Sequence, residues 1–522
     1  MSDIRELLEA RTYEHGEKPF LFSEADSRIW SYSEFNAAVN QTSDLLNSAG
    51  IRKGDVVSLL LPNSPEYIIA YFACWKIGAL AGPVNSLLKS EEIEWVVSNS
   101  ESKLLIVNSA FGSVIENVVK PPVLNFDNVG LAASGYSDEL EPVELAEDDE
   151  AIIIYTSGTT GKPKGCLLTH GNLIANARQI TEWMSFGPED RLLSVMPLFH
   201  MNAVTVTTMT ALYCGGSTVV SPRFSASRFW DIVERYKITS FGSVATMLSM
   251  LLSGAPSVVS GQRDDPGPKF QDPRSQSLRF AMCGSAPVPA ETLKRFEDTF
   301  GVLVIEGYGL SESTCRSTFN PPNQNRRPGS CGLPIGNEMK VVDEDDNEVP
   351  NGELGEIVLR GPNIFKGYFK NPEATEKAFA NGWFHTGDIG FRDADGFFYI
   401  ADRKSDMIIR AGENIYPREI DDVLYTHPAV AHAAVIGVPD ELYGEEVAAF
   451  IVLKDGYTNA ETRPVGTVSS SVVTASDLID FCKLHLADYK CPKTVLFVSD
   501  IPKGPTGKLL KRELAKMFRS EP

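Results

Sequence analysis

The sequence lacks an excess of basic residues, paired cysteine motifs and long apolar runs. It contains 48 lysines and arginines against 69 aspartates and glutamates, which gives a formal charge of −21 at pH 7. Such a surface disfavours nucleic acids and anionic membranes, because both are polyanions. It does not exclude small anionic ligands, since a local cluster of donors can hold them inside an acidic protein. We therefore expect no nucleic-acid partner.

The eight cysteines are scattered along the chain, and no two of them have the Cys-x-x-Cys spacing. This pattern predicts neither a zinc site nor a disulfide framework. It is typical of reduced thiols in a cytosolic protein. The cysteines are Cys74, Cys166, Cys214, Cys283, Cys315, Cys331, Cys482 and Cys491.

The most apolar stretch, Tyr67–Val84, is interrupted by Lys76 and Pro83. It is too short and too interrupted to span a bilayer, so we expect buried structure there. The N-terminal residues 1–6 include acidic side chains and no apolar core, which is unlike a signal peptide. We therefore expect a cytoplasmic protein without an integral membrane segment.

With 522 residues the chain is too long for one hydrophobic core, so at least two domains are expected. In the first half, short apolar runs alternate with amphipathic segments: Val56–Leu61 predicts a strand, Glu66–Ile77 a helix and Leu104–Val107 the next strand. This rhythm indicates an α/β fold of parallel sheets flanked by helices. After about Gly332 the sequence becomes β-rich, and after Asp402 about 120 residues remain, the size of a small domain.

The segment from Ala151 to Gly165 is the most informative in the chain. It reads Ala-Ile-Ile-Ile-Tyr-Thr-Ser-Gly-Thr-Thr-Gly-Lys-Pro-Lys-Gly, a buried strand that runs into a loop of glycines, hydroxyls and lysines. Glycines allow close approach to an anion, and successive N–H groups can form a donor nest. The segment therefore predicts a phosphate cradle. It is not a Walker P-loop, because Thr156 and Pro163 stand where that motif needs Gly and Ser or Thr.

This loop resembles the signature loop of the ANL superfamily, which comprises acyl- and aryl-CoA synthetases, adenylation domains and firefly-type luciferases. Similar companion motifs follow in the family's order. They are the segments Met196–Asn202, Cys283–Val288, Gly307–Ser313, Trp383–Asp388, Asp402–Ile420 and Pro502–Lys508. The resemblance thus covers nearly the whole chain.

The resemblance implies roles for individual residues. Tyr308 would stack on adenine, Ser311 would meet phosphate and Glu312 would bind magnesium. Asp388 would bind the ribose and Arg403 the nucleotide. The ATP-binding residues implied are Thr156, Ser157, Gly158, Thr159, Thr160, Gly161, Lys164, Gly284, Ser285, Ala286, Gly307, Tyr308, Gly309, Ser311, Asp388, Arg403 and Lys508.

The resemblance also implies a large AMP-binding domain over residues 1–402, with a small β-barrel-like part, and a small mobile α+β domain over residues 403–522. Lys508 and Glu312 would be catalytic. Rotation of the small domain would then bring Ala411, Gly412 and Glu413 to the coenzyme A channel. Ser405 stands where the family usually has Asp or Lys, a departure at the hinge.

The acyl pocket is expected around His200, Gly242, Ser243 and Gly307. The small residues leave room for a fatty or aryl acid. His200 follows Phe199 at the position where amino-acid-activating members have Asp, which argues against an amino-acid substrate.

The implied function is ATP-dependent ligation of a carboxylic acid to coenzyme A through an acyl-adenylate, with ATP, Mg²⁺ and coenzyme A required. The main alternative is a free-standing adenylation enzyme that loads a carrier protein. A luciferase-like oxygenase is rarer among such proteins, and a non-catalytic member of the fold is disfavoured by the retention of Glu312, Asp388 and Lys508.

Overall fold

The computed structural model describes residues 1–116, 118, 121–156, 163–253, 273–284, 288, 290–411, 413–440, 442–459, 471–503 and 510–520. The chain forms two compact units. The first comprises Met1–Met339 and Leu359–Phe384, and the second Lys340–Val358 and His385–Pro522. The predicted α/β class, with one large and one smaller unit, is confirmed. The predicted domain boundary between residues 402 and 403 stays a prediction.

The strands are, in chain order, β1 Pro19–Ser23, β2 Ile29–Ser31, β3 Val56–Leu60, β4 Leu80–Pro83, β5 Leu104–Val107, β6 Val123–Asn125, β7 Glu150–Thr156, β8 Lys164–Thr169, β9 Arg191–Ser194, β10 Ser217–Val220, β11 Ser240–Ser243, β12 Phe280–Cys283, β13 Leu303–Tyr308, β14 Thr318–Phe319, β15 Leu333–Pro334, β16 Glu338–Val342, β17 Gly355–Arg360, β18 Gly367–Tyr368, β19 Phe384–Arg392, β20 Phe398–Arg403, β21 Ile408–Arg410, β22 Glu413–Ile415, β23 Val430–Asp440, β24 Gly444–Leu453, β25 Tyr457–Asn459, β26 Ser471–Val473 and β27 Thr494–Phe497.

The α-helices are α1 Ile4–His15, α2 Tyr32–Ser48, α3 Pro65–Lys76, α4 Ser90–Asn99, α5 Gly112–Ile115, α6 Val129–Ala132, α7 His170–Met184, α8 Thr210–Tyr213, α9 Ala226–Tyr236, α10 Ala245–Ser253, α11 Ala290–Phe300, α12 Pro372–Ala378, α13 Pro417–Thr426, α14 Ala475–His485 and α15 Lys511–Ser520. A π-helix, Asn202–Met209, precedes α8. Short 3-10 turns include Ser311–Ser313.

Two sheets form the framework of the first unit. One has the order β15-β14-β13-β12-β11-β9-β10-β1-β2, and the strands from β13 to β1 run parallel. The other has the order β18-β8-β7-β4-β3-β5-β6, and the strands from β7 to β6 run parallel. In such sheets the loops that follow the carboxyl ends of the strands are the usual place for ligands.

Helix α3 is buried on every side, as the apolar stretch predicts. Its N-terminus is defined by two features: the Ser64 hydroxyl accepts a hydrogen bond from the Tyr67 N–H, and Pro65 occupies the first turn. Two aromatic side chains bind it to β7 and to the segment after β9: the Trp75 Nε1–H donates to the Ala151 carbonyl at 2.9 Å and the Tyr71 hydroxyl to the Leu198 carbonyl at 2.8 Å. The helix therefore fixes β7 relative to the segment after β9.

The second unit contains a four-stranded sheet, β16-β17-β19-β20, where the sequence predicts a β-rich, barrel-like part. It also contains the sheet β22-β21-β24-β23, with β27 beside β24. Helix α13 packs on β23, and apolar side chains such as Ile420, Val435 and Ile451 form its core. The predicted mixture of helices and strands is confirmed.

All eight cysteines are free, as predicted; six are buried and the other two, Cys214 and Cys331, are half-buried. Burial raises the pKa of the Cys214 thiol to about 11 and that of the Cys283 thiol to about 12. Within the described part of the chain, no helix combines the length and hydrophobicity that a membrane span requires.

Candidate active site

The predicted phosphate loop joins two paired strands of the first unit. Strand β7 ends at Thr156 and β8 begins at Lys164, and these two residues face each other across an antiparallel pair. The Lys164 Nζ lies 5.1 Å from the centre of the Tyr368 ring, which is a cation–π contact. The pairing fixes where the loop starts and ends. Five predicted loop residues lie outside the described residues: Ser157, Gly158, Thr159, Thr160 and Gly161.

Glu312 lies beside the start of this loop. Its Oε1 accepts a hydrogen bond from the Tyr368 hydroxyl at 3.1 Å and a long one from the Thr156 hydroxyl at 3.5 Å. Burial and the nearby Glu312 carboxylate raise the pKa of Tyr368, so the phenol stays a proton donor. The structure thus brings Thr156, Lys164 and Glu312 together, and the roles that the resemblance implies for them stay predictions. It adds Tyr368, which sequence reasoning missed.

The donor set around Glu312 fits a magnesium ion that is shared with phosphate. Mg²⁺ is commonly held by one or two carboxylates, with substrate phosphates and water completing the coordination. Glu312 supplies one carboxylate, and the Thr156 hydroxyl adds a neutral oxygen. Among the described residues, no group of three or more His, Cys, Asp and Glu side chains forms a complete protein cage. A shared ion is the arrangement that these residues can support.

The segment predicted to bind adenine begins at the end of β13 and continues beyond it. Gly307 and Tyr308 are the last residues of that strand and pair with Phe319 and Thr318 of β14. Gly309 comes next, and a Cβ there would lie 2.1 Å from the Cys315 carbonyl oxygen, so only glycine fits. Ser311 then opens the 3-10 turn that carries Glu312.

The predicted acyl-pocket residues lie at the carboxyl ends of β11 and β13, which carry Gly242, Ser243 and Gly307, and in the segment after β9, which carries His200. His200 is largely buried, and burial lowers its pKa to about 4, so its imidazole is neutral. Its Nε2 has no hydrogen-bond partner among the described residues. The Ser243 hydroxyl donates to the Met282 carbonyl at 3.1 Å, which binds β11 to β12.

Asn202 is not among the predicted site residues, although it ends the motif Met196–Asn202 that contains His200. Neither its Oδ1 nor its Nδ2 has a hydrogen-bond partner in the part of the chain that the structure describes. A Cβ on Gly242 would lie 2.4 Å from the Asn202 Oδ1. The space next to Gly242 is therefore occupied by a buried amide. The only signal in the sequence is an Asn at the start of an apolar helix.

The next strand, β12, leads to Gly284, whose N–H donates to the Ser243 carbonyl at 3.3 Å. Gly284 is described, whereas the predicted adenine-binding residues Ser285 and Ala286 lie outside the described residues. The guanidinium of Arg316 covers Gly284. Arg316 is a second residue to which the sequence analysis gave no role.

In the second unit, Asp388 on β19 faces Arg403 at the end of β20. The Arg403 Nε lies 3.0 Å from the Asp388 Oδ1, and the Asp388 side chain is 4% exposed. The Asp388 N–H donates to the Thr386 hydroxyl at 3.0 Å. The sheet therefore presents a carboxylate and a guanidinium side by side, a pair that can bind ribose hydroxyls and a phosphate.

The predicted coenzyme A segment follows β21. Ala411 has a φ of +53° and its N–H donates to the Tyr443 carbonyl at 2.9 Å, so the chain turns sharply there. Glu413 begins β22 and is exposed. Gly412 and Lys508 lie outside the described residues.

Residues 8–369 match the family described as AMP-binding enzyme, and residues 419–508 match the AMP-binding enzyme C-terminal domain. The chain is similar to the sulfoacetate–CoA ligase of Cupriavidus necator, with 34% identity over 97% of this chain and 96% of that protein. It is also similar to the long-chain-fatty-acid–CoA ligase FadD13 of Mycobacterium tuberculosis, with 35% identity over 94% of this chain and 93% of that one.

The fold matches that of the o-succinylbenzoate CoA synthetase of Bacillus subtilis, solved in complex with an acyl-adenylate intermediate. The TM-score is 0.84 and the identity 31%, over 98% of each chain. The predicted relationship to the ANL superfamily is thereby confirmed. This chain belongs to the AMP-binding enzyme family.

Proposed function

We propose that this chain is an ATP-dependent acid–thiol ligase that activates a carboxylic acid as its acyl-adenylate and transfers the acyl group to coenzyme A. The observation that carries the proposal is the cluster of Thr156, Lys164, Glu312 and Tyr368 in the first unit. Its hydroxyls, cation and carboxylate are what a magnesium–triphosphate group requires. Similarity to CoA ligases over more than nine-tenths of the chain supports the same class.

In the first half-reaction, a carboxylate oxygen of the acid attacks the α-phosphorus of ATP. The bond from that phosphorus to the bridging oxygen breaks, and pyrophosphate leaves. Both reactants are anionic, so the barrier is largely electrostatic. Lys164 and the loop donors would stabilise the charge that develops on pyrophosphate. Glu312 would hold Mg²⁺, which neutralises phosphate oxygens when it is bound.

In the second half-reaction, the thiol of coenzyme A releases its proton to solvent and its thiolate sulfur attacks the acyl carbonyl, the acyl–phosphate bond breaks, and AMP leaves. By family resemblance, Asp388 and Arg403 would hold the nucleotide. Lys508 would stabilise charge only in the first step, and Ala411, Gly412 and Glu413 would line the thiol path in the second. Rotation of the C-terminal domain would exchange these two sets of residues.

The acid itself is the finer part of the proposal. The relatives act on acids as different as sulfoacetate and a long-chain fatty acid. The expectation of a fatty or aryl acid, and the pocket formed by His200, Gly242, Ser243 and Gly307, therefore stay predictions. A cytoplasmic location and the alternative of a carrier-protein acceptor also stay predictions.

A pyrophosphate-release assay across a panel of acids, with and without coenzyme A, tests the proposal. We expect release that depends on the acid, on ATP and on Mg²⁺, and we expect mass spectrometry to detect the acyl-CoA product. If acyl-adenylate accumulates with several acids while saturating coenzyme A gives no thioester, the acceptor is a carrier protein instead. If no acid releases pyrophosphate, the ligase assignment is wrong.

A further inference from the structure

Arg316 is a fully buried residue that the proposed mechanism does not use. It lies between the turn that carries Glu312 and the start of β14, and it is 1% exposed. Its backbone N–H donates to the Asn176 Oδ1 at 3.2 Å, and its carbonyl accepts from the Asn176 Nδ2 at 2.6 Å and the Asn363 Nδ2 at 3.1 Å. The backbone is therefore held firmly, and the fold keeps the side chain inside.

The guanidinium has few partners of its own. Nη1 donates to the Cys315 carbonyl at 3.3 Å, whereas Nε and Nη2 have no hydrogen-bond partner among the described residues. The Phe319 ring centre lies 5.3 Å from the guanidinium carbon, and this cation–π contact offsets only part of the desolvation. A buried cation without an anion is costly, so such charges are normally paired or bind a ligand.

The position of the guanidinium points to the acid pocket. A Cβ on Gly284 would lie 2.6 Å from the Arg316 Nη2, so the charge covers the carboxyl end of β12. On the neighbouring strand, the Asn202 amide covers Gly242 in the same way. Two buried polar side chains with unpaired atoms thus lie over adjacent strand ends, where parallel sheets bind ligands.

One contact links the two segments that carry these side chains. The Thr205 hydroxyl, in the π-helix that begins at Asn202, donates to the Thr314 carbonyl at 3.1 Å, two residues before Arg316. The helix that carries the amide is therefore tied to the segment that carries the guanidinium. We infer that both side chains belong to one site.

We propose that Arg316 binds a second anionic group of the acid substrate, which is a carboxylate or a sulfonate that does not react. This inference rests on the proposed function. A guanidinium offers paired N–H donors that match either anion, and the Asn202 amide can donate beside it. The acid would thus be a dianion, and one of its two charges would remain throughout both half-reactions.

The reacting carboxylate is a poorer partner for Arg316. That group loses its charge when it becomes the mixed anhydride, so a strong ion pair to it would stabilise the ground state more than the transition state. A second anion keeps its charge and its partner from binding to product release. The guanidinium would therefore contribute binding energy and orientation without opposing the chemistry.

The first test compares matched acids on the unmodified enzyme: propanoate with malonate and sulfoacetate, and benzoate with the benzenedicarboxylates. Pyrophosphate release and acyl-CoA formation are measured for each acid. At least one dianion should exceed its monoanionic counterpart in kcat/KM by about a hundredfold, the range of a charge-assisted hydrogen-bond pair. The malonate and sulfoacetate arms distinguish a carboxylate from a sulfonate.

The second test uses Arg316→Met and Arg316→Lys. The Met variant should lose the preference for the dianion while its KM for ATP stays the same, and the Lys variant should keep part of the preference. Arg191→Met is the matched control, because Arg191 also lies over an aromatic ring, 4.3 Å from Phe22, but at the amino end of β9 in the same sheet. It should leave acid selectivity unchanged.

Monoanionic acids that react as well as dianions would overturn the inference while leaving the ligase assignment intact. So would an Arg316→Met enzyme with a raised KM for ATP and unchanged acid selectivity, because the guanidinium would then serve the nucleotide. If the Met variant does not fold, the affinities of malonate and propanoate for the unmodified enzyme are measured at equilibrium instead. Tighter binding of malonate would support the proposal, and equal affinities would refute it. Absence of turnover with every acid would instead refute the proposed function.

Discussion

The Tyr368 hydroxyl donates to the Glu312 Oε1 at 3.1 Å, so the carboxylate proposed to hold magnesium has a fixed orientation. Residues that orient a metal ligand commonly tune its affinity. The hydrogen bond joins β18 to the turn after β13, two elements that are far apart in the sequence.

We predict that Tyr368→Phe raises the Mg²⁺ concentration needed for half-maximal adenylation by about tenfold, the effect of one hydrogen bond to a charged group. Glu312→Gln should lower the adenylation rate by about a thousandfold even at saturating Mg²⁺. Pyrophosphate release against Mg²⁺ concentration measures both effects. Tyr155→Phe is the control, since the Tyr155 hydroxyl donates to Asn99. A Tyr368→Phe enzyme with an unchanged Mg²⁺ requirement would argue against the orienting role.

Lys164→Ala should slow adenylation by about ten- to a hundredfold, because a charge that stabilises pyrophosphate is lost. Its thermal unfolding should change little, since an incompletely buried lysine contributes little to stability. Lys366→Ala is the matched control: Lys366 pairs with Glu150 at 2.7 Å, at the opposite end of β7, and should leave adenylation intact. Unchanged kinetics in Lys164→Ala, or unfolding of that variant, would contradict the assignment.

Asp388→Asn should raise the KM for ATP by about tenfold or more while the KM for the acid stays constant. The reason is that an amide oxygen accepts hydrogen bonds from the ribose hydroxyls less strongly than a carboxylate does. The Arg403 guanidinium, 3.0 Å away, would also lose its counter-charge. Glu348→Gln, which breaks the ion pair between Glu348 and Arg392, is a control in the same unit. Equal changes in both KM values would indicate a general structural defect instead.

Lys508→Ala and Gly412→Leu should separate the two half-reactions. The first variant should be nearly inactive with acid, ATP and Mg²⁺, since a transition-state contact worth about 4 kcal/mol accounts for roughly a thousandfold. Given synthetic acyl-adenylate and coenzyme A, it should form thioester at close to the normal rate. Gly412→Leu should show the opposite pattern, because a bulky side chain would block the thiol path. Equal damage to both steps by both variants would refute domain rotation.

We predict that the buried imidazole of His170 makes the stability of the protein depend on pH. It is fully buried, its Nδ1 accepts the Ile4 N–H at 3.3 Å, and burial lowers its pKa from 6.5 to about 4. Between these pH values the unfolded chain binds a proton that the folded chain does not, so stability falls as the pH falls from 6.5 to 4. The full loss is about 3 kcal/mol. Thermal unfolding measured at pH 7 and at pH 5 should show a smaller loss of stability in His170→Asn than in the unmodified protein. An equal loss of stability in both proteins would mean that groups other than His170 cause it.

The elements that depend on local patterns could be predicted from the sequence. Val56–Leu60 and Leu104–Val107 are strands, and Pro65–Lys76 is a helix within one residue of the expected limits. Apolar runs broken by turn residues carry that information without tertiary context. Thr156 and Glu312 could also be assigned to ATP binding and magnesium binding from the sequence, because both belong to motifs of one family, whereas their 3.5 Å contact comes from the structure alone.

Residues whose roles depend on long-range packing could not be predicted. Tyr368 reaches Glu312 only because β18 pairs with β8. Arg316 follows a recognised motif, yet an arginine in a sequence normally indicates a surface position. The small Gly242 predicts room for the acyl group, but the space beside a glycine depends on what folds over it, and here the Asn202 amide lies there.

Six of the eight cysteines are buried and the other two, Cys214 and Cys331, are half-buried, so none of them presents a fully exposed thiol. Thiolates are the species that alkylating reagents attack, and burial raises the pKa of thiols such as Cys214 and Cys283, which leaves few of their thiolates at neutral pH. A cysteine placed at Tyr13, 93% exposed, and another at Leu442, 79% exposed, would therefore react first with a maleimide probe. One position lies in each unit, so a fluorophore pair there would report the distance between the units during turnover. The native sequence can therefore be labelled at two introduced cysteines without removal of its own cysteines.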